Sequence, residues 1–374
     1  MNTKYNKLFE PFTFASGATI DNRIIMAPMT TNSSFENGMV TTDEHIYYER
    51  RTAGLGAVIT SCAQVREDGK FAGSLSVASD NHIESLAKLA KTIKSTGTKA
   101  ILQIFHIGRM GTASMLRGIQ PVSASAIPAV REGSETPRAL SDEEVRELVE
   151  AFGEATRRAI QAGFDGVEVH GANTYLIQQF FSPHSNRRDD HWGGTLEKRM
   201  NFPIACVQAA KAAIEKYADK PFIFGYRISP EELEEPGIIL DDTLALLVKL
   251  TDQGLDYIHV SLGQVAQSPI RDKENKTPII NIIREKIGNS IPIIAVGAIT
   301  TPDDALQALE QLDIPLVAIG KELIVEPDWL QKVKAGEEDT IRTEIHMEDS
   351  KDLAVPDAMW EYIEAIPGWL PIVK

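Results

Sequence analysis

The stretch His170-Gly171-Ala172-Asn173-Thr174-Tyr175 places an imidazole, a carboxamide and a phenol within six consecutive residues. Imidazole and carboxamide N–H groups can both donate to one carbonyl oxygen and stabilise negative charge developing there. A phenol keeps a transferable proton at neutral pH and can protonate a nearby carbanion or enolate. Each residue alone has an ordinary reading: a strand cap, a loop turn, a packed ring. Together they make a compact set of donors.

Two other groups suit an anion. Val296-Gly297-Ala298-Ile299-Thr300 and Ile319-Gly320-Lys321 each follow an apolar run, where backbone N–H groups and a lysine can hold phosphate. Alternatively, they are helix-cap glycines beside a solvated lysine. Gln103 in Ile101-Leu102-Gln103-Ile104 and Arg227 in Gly225-Tyr226-Arg227-Ile228 lie inside apolar stretches. A guanidinium in a dry interior needs an anion or several acceptors; a ligand would serve, and so would an internal carboxylate such as Glu168. His106 and Arg109 could reach the same cavity. Ser185–Thr195 reads equally well as a structural lid held by salt bridges.

The elements that would position these residues alternate. Apolar runs at Arg23–Ala27, Ala57–Ser61, Ala100–Phe105, Gly166–His170, Phe222–Ile228, Tyr257–Ser261, Ile291–Val296 and Leu316–Gly320 read as strands buried on both faces. Helical patterns lie between them. Ser141–Gln161 is the clearest, with Ser141 and Glu144 as a capping box and Val145, Leu148, Val149, Phe152 and Ala155 on one face. Asp241–Gln253 starts with acids and can stop at Gly254, and Pro302–Leu312 has proline in its first turn.

Eight alternations predict a (β/α)₈ barrel. A doubly wound sheet is the alternative, but the first strand ends in Ala27-Pro28-Met29 rather than a Gly-rich phosphate loop. His170, Gly297 and Gly320 then fall at strand C-terminal ends, the face of a barrel where chemistry occurs. Extended loops over 106–140 and 171–197, after strands 3 and 4, lie on that face. Residues before 22 are expected to form a hairpin plug. Residues 1–340 read as one barrel domain, and residues 341–374, with Trp360 and Trp369, as a tail packing on the barrel or on a partner subunit.

Composition narrows the partners. The 374 residues carry a formal charge of −15, which disfavours broad nucleic-acid or anionic-membrane surfaces. Two cysteines, Cys62 and Cys206, cannot by themselves build a disulfide scaffold, a zinc site or an iron–sulfur cluster. No run approaches a membrane span, and the start MNTKYNKLFEPFTF lacks a signal-peptide core, so a cytoplasmic location is expected.

Across almost its whole length the sequence resembles the Old Yellow Enzyme family of FMN-dependent ene-reductases. The likeness lies in Asn22-Arg23 leading to Ala27-Pro28-Met29, in Gln103 with His106-x-Gly108-Arg109, in HGANTYLIQQF at 170–180, in SPHSNRRDDHWGG at 182–194, in Arg227, and in Gly320-Lys321-Glu322. The resemblance implies FMN across the barrel mouth. Pro28, Met29 and Thr30 would bound it, Cys62 would touch it by backbone, and Gln103 would bond its pyrimidine edge. Arg227 would lie near N1 and O2, where positive charge stabilises the anionic reduced ring. Gly297, Ala298, Gly320 and Lys321 would hold the phosphate.

It further implies that NAD(P)H reduces the flavin. An α,β-unsaturated carbonyl compound, quinone or nitro compound then binds over the same ring, its oxygen held by His170 and Asn173. Hydride passes to the β-carbon, Tyr175 protonates the α-carbon, and kinetics are ping-pong. Family members often pair as homodimers.

The sequence departs from the pattern in places. Thr30 cannot act as the thiol some members carry, and Asn32 stands where one bacterial subgroup has tyrosine. Lys321 replaces a frequent arginine and offers no bidentate fork. Trp192 replaces a common tyrosine. Iron–sulfur relatives need more cysteines and a longer chain, and RNA-modifying FMN barrels need a basic surface. A quinone or flavin reductase, or a non-catalytic flavin-binding barrel, remains a distinct reading.

Overall fold

The computed structural model describes residues 2–373. Eight parallel strands follow one another around a closed ring: β1 Ile24–Met26, β2 Ala57–Ile59, β3 Lys99–Phe105, β4 Gly166–Gly171, β5 Ile223–Ile228, β6 Tyr257–Ser261, β7 Ile293–Val296 and β8 Leu316–Ile319. Pairing of β8 with β1 (Ala318 opposite Ile25) closes it. The strands fall within two residues of the apolar runs, because each is buried on both faces and has no polar alternation to blur its ends. The fold is a (β/α)₈ barrel.

Helices α1 Thr42–Arg51, α2 Ile83–Lys94, α3 Asp142–Gln161, α4 Asn201–Tyr217, α5 Leu240–Leu250, α6 Ile279–Ile287, α7 Pro302–Gln311 and α8 Trp329–Ala335 surround the strands. The capping box of α3 forms as its sequence predicts: Ser141 Oγ accepts from the Glu144 N–H at 3.2 Å, and the Ser141 N–H donates to Glu144 at 2.8 Å. Its buried stripe is Val145, Leu148, Phe152, Ala155 and Ala159. After α5 a short 3-10 turn ends at Gly254, whose φ of 77° is left-handed.

Inward positions alternate along each strand and stack in layers. The lowest holds Ile25, Ile59, Ile101, Ile223, Tyr257, Ile294 and Leu316. Phe14, Ala18 and Ile20 of the N-terminal antiparallel hairpin (Phe12–Thr13 with Thr19–Ile20) pack into the same cluster and close the barrel floor. The Tyr257 ring fits because its neighbour is Gly225; a Cβ there would come within 2.0 Å of Tyr257. Above this dry layer lie Gln103, Glu168, Arg227 and His259, with Glu168 opposite Gln103 and Arg227 opposite both His170 and His259 in register.

The long loops carry small elements that the sequence pattern does not reveal. The 106–140 connection holds a parallel pair, Val122–Ser123 with Arg138–Ala139, and the 171–197 connection holds a short helix at Leu176–Phe181. Residues 262–278 form a third long connection, after β6. Among the described residues no helix is long and apolar enough to cross a membrane.

Candidate active site

His170 ends β4 almost fully buried, and the Ala172 N–H donates to its Nδ1 at 3.3 Å. A nitrogen that accepts cannot carry the proton, so the tautomer leaves Nε2–H as the free donor. Burial above all, then Arg227 and His259, pulls the His170 pKa well below its ordinary value, so the ring is neutral at pH 7.

Asn173 sits at φ 57°, a left-handed conformation that asparagine tolerates better than most residues. Its N–H donates to Ser229 Oγ at 2.9 Å, and its Oδ1 accepts from Ser261 Oγ at 2.9 Å. Arg227 Nη2 donates in turn to Ser261 Oγ at 3.2 Å. The carboxamide oxygen is thus occupied and its NH₂ is presented outward.

The Tyr175 ring packs edge-on to His170 at 5.1 Å and to Phe105 at 5.0 Å. Burial pushes its phenol above the usual range, so the proton stays on. Tyr175 and Asn173 line one cavity of about 670 Å³ together with Thr30, Asn32, Phe71, Arg131 and Tyr362.

Beneath the mouth, Gln103 Nε2 donates to Glu168 Oε1 at 2.6 Å, and His259 Nδ1 bonds Glu168 Oε2 at 2.9 Å. Burial works to raise the Glu168 carboxyl, but His259, Arg227 and Gln103 hold it below its ordinary value. It is an ionised acceptor. The Gln103 nitrogen must face it, which leaves the Gln103 oxygen for another partner. No hydrogen bond or ion pair within 4 Å joins Glu168 to Arg227, although the charge of each favours the charge of the other. Arg227 is only 7% exposed, and its Nε has no protein partner among the described residues.

A second cavity, about 390 Å³, is lined by Pro28, Met29, Arg227, Gly297, Ala298, Gly320, Lys321, Glu322 and Trp369. Gly297 has φ 142°, and a Cβ there would meet the Gln264 backbone at 2.7 Å; Ala298 follows at φ 48°. This twisted backbone bares main-chain groups to the cavity, as an anion cradle requires. Burial pushes the Glu322 carboxyl up to about 8, with Glu326 and Asp304 adding to the shift, so it is mostly neutral at pH 7 and does not oppose a phosphate. The partnerless Arg227 Nε and this cradle fit the two ends of FMN.

Of the residues singled out in the sequence, Thr30, Asn173 and Tyr175 line the first cavity, and Pro28, Met29, Arg227, Gly297, Ala298, Gly320 and Lys321 line the second; His170 packs against Tyr175, and Gln103 is held by Glu168. Cys62 lies buried against Phe105 and Ile107, its thiol pushed up by burial. His106 and Arg109 do not join the site. His106 bonds Asp68 at 3.2 Å, and Arg109 bonds the Pro128 carbonyl at 3.0 Å and His184 at 3.1 Å, so both tie the long loop down. Ser185–Thr195 is a structural clamp: Arg188 pairs with Asp190 at 2.6 Å, and Asn186 holds the Phe180 and Trp192 carbonyls. Ser229 and Ser261, which fix the Asn173 amide, carry no motif; only their place at the ends of β5 and β6 marks them.

The depressed histidines set a pH dependence. His170 and His259 are neutral when folded and protonate more readily when unfolded, so their contribution is full above about pH 6.5 and is lost as pH falls below it. The limit is about 1.4 kcal/mol per pH unit for each ring. Urea midpoints are expected to fall from pH 7.5 to 5.5, and His170→Gln should flatten that slope; an unchanged slope contradicts the assignment.

The chain is similar to known proteins along most of its length. A model of the NADH:flavin oxidoreductase / NADH oxidase family matches residues 7–340. The chain is 46% identical over 372 residues to a probable NADH-dependent flavin oxidoreductase of Bacillus subtilis, covering 99% of each. It is 45% identical to an NADH:acrylate oxidoreductase of Vibrio harveyi, over 96% of this chain but 36% of that one. The solved structure of an Old Yellow Enzyme homologue from Zymomonas mobilis has a TM-score of 0.78 at 25% identity, over 94% of this chain and 99% of that one. Sequence and fold thus agree that the chain belongs to the NADH:flavin oxidoreductase / NADH oxidase family, as an FMN-dependent, NAD(P)H-using oxidoreductase of the Old Yellow Enzyme type.

Proposed function

We propose that the protein reduces the activated double bond of α,β-unsaturated carbonyl compounds, with NADH as the reductant. FMN, when bound, relays hydride from the nicotinamide to the β-carbon of the electrophile. The observation that carries the reading is the pair of fixed donors: Nδ1 of His170 and Oδ1 of Asn173 are both already engaged, so each side chain presents N–H. These two groups hold the carbonyl oxygen and draw charge from the β-carbon, in a site where no reorganisation is needed as charge builds. Tyr175, protonated and edge-on to His170, gives its proton to the α-carbon.

Pro28, Met29, Thr30, Cys62, Gln103 and Arg227 would hold the flavin ring, and Gly297, Ala298, Gly320 and Lys321 its phosphate. Arg227 supplies positive charge to the pyrimidine side, and Gln103, turned by Glu168, offers it a carbonyl acceptor. Reductant and electrophile share one mouth, which supports ping-pong kinetics. NADH is favoured because the family description and both relatives carry it in their names, whatever the acceptor. The same donors would hold a quinone or nitro oxygen, so a quinone reductase uses the same machinery without needing Tyr175.

Phenolic ligands test the donor pair, since a phenolate oxygen occupies the place of the carbonyl oxygen. His170→Ala and Asn173→Ala are each expected to weaken 4-hydroxybenzaldehyde binding by about tenfold to a hundredfold, from loss of a hydrogen bond to charge. The readout is titration of the long-wavelength flavin–phenolate absorbance. Unchanged affinity in both variants would overturn the assignment.

A further inference from the structure

The family match ends at residue 340, yet the chain continues through a folded segment that returns to the barrel mouth. Ile345–His346 pairs in parallel with Ile372–Val373, and Arg50 Nε holds the Asp352 carbonyl at 2.9 Å. Leu353, Met359, Ile363 and Leu370 are buried in the main core. Between these anchors, the helix α9 Asp357–Glu364 turns Ala358, Glu361 and Tyr362 into the cavity that Asn173 and Tyr175 line. Seven residues beyond Tyr362, Trp369 lines the phosphate-end cavity with Lys321 Nζ 5.1 Å from its ring centroid. The Tyr362 and Trp369 rings face each other edge-on at 6.1 Å.

We propose that this tail is a specificity strap: Trp369 retains the cofactor by closing its phosphate end over Lys321, and Tyr362 forms the outer wall that limits the size of the electrophile. The physical case is that one anchored segment closes both cavities with a single aromatic pair. A tryptophan face attracts the Lys321 ammonium and draws this exposed lysine toward the cradle. A tyrosine wall excludes bulk from the side of the mouth facing Tyr175 at little entropic cost, since its helix is pinned by Met359 and Ile363. The cofactor arm rests on the family alone; the electrophile arm rests on the proposed function.

The test uses the full chain. Trp369→Ala is expected to raise the FMN dissociation constant about fivefold, read by the fluorescence of released FMN, whereas Trp369→Phe, which keeps an aromatic face, stays close to the parent. Tyr362→Ala is expected to raise the kcat/KM ratio of trans-cinnamaldehyde over acrolein about tenfold, through KM rather than kcat. Equal FMN affinity in Trp369→Ala, or equal loss in Trp369→Ala and Trp369→Phe, would overturn the retention role. An unchanged ratio in Tyr362→Ala would overturn the wall. A parent protein inert to both enals would sink the proposed function instead, while the FMN titrations would still decide the strap.

Discussion

Tyr175→Phe is expected to slow enone reduction by about two to four orders of magnitude while leaving reduction of the bound flavin by NADH unchanged. The substitution removes one oxygen and little else, because the ring contacts with Phe105 and His170 persist. The phenol stays protonated: burial, then Cys62 and Tyr362, push it upward, and Arg227 and Arg131 only partly oppose them. Its proton is therefore present throughout the working pH range. Anaerobic stopped-flow separates the two halves of the reaction, first mixing with NADH and then with an enone. Benzoquinone adds a control, since its reduction needs no proton on carbon and should survive the change. Equal slowing of both halves would show that Tyr175 holds structure rather than delivering a proton.

Arg227→Met should slow reduction by NADH by about a hundredfold to a thousandfold, the scale for removing one preorganised charge stabiliser from a dry site. Methionine is chosen because it fills comparable space without charge. The consequence reaches further than one contact. Arg227 donates to Ser261, Ser261 donates to Asn173, and Arg227 helps keep Glu168 ionised. Losing it loosens the Asn173 carboxamide and raises the Glu168 carboxyl, which weakens the orientation of Gln103. Phenolic ligands should therefore bind less tightly as well, although Arg227 is not one of the two donors proposed to grip them. Arg227→Lys should recover part of the rate, but without the planar fork that reaches two partners. An Arg227→Met protein with full flavin content and parental reduction rate would remove the arginine from the account.

Much of this site is readable in the sequence because a barrel converts chain position into depth. Glu168 and His170 lie two apart on one strand, so both point inward, one layer above the other. Arg227 and Gln103 stand out for the same reason: a polar side chain amid apolar neighbours must find a partner. What the sequence hides are pairings across strands. Nothing in the sequence near Ser229 or Ser261 says that either will orient an asparagine just beyond β4, since that contact depends on closure of the ring. His106 and Arg109 mislead for the complementary reason. They stand beside a strand end, but Asp68 and the Pro128 carbonyl, both remote in sequence, turn them away from the cavity. The tail is hidden too, because its buried residues alternate with exposed ones over too short a span to announce where they dock.

The apolar hairpin seated in the barrel floor has a bearing on air sensitivity. With Phe14, Ala18 and Ile20 sealing that end, dioxygen is expected to approach by the mouth that organic molecules use. A phenol lodged there would act as a stopper, and a bleached preparation exposed to oxygen should regain its yellow colour only as fast as the stopper leaves.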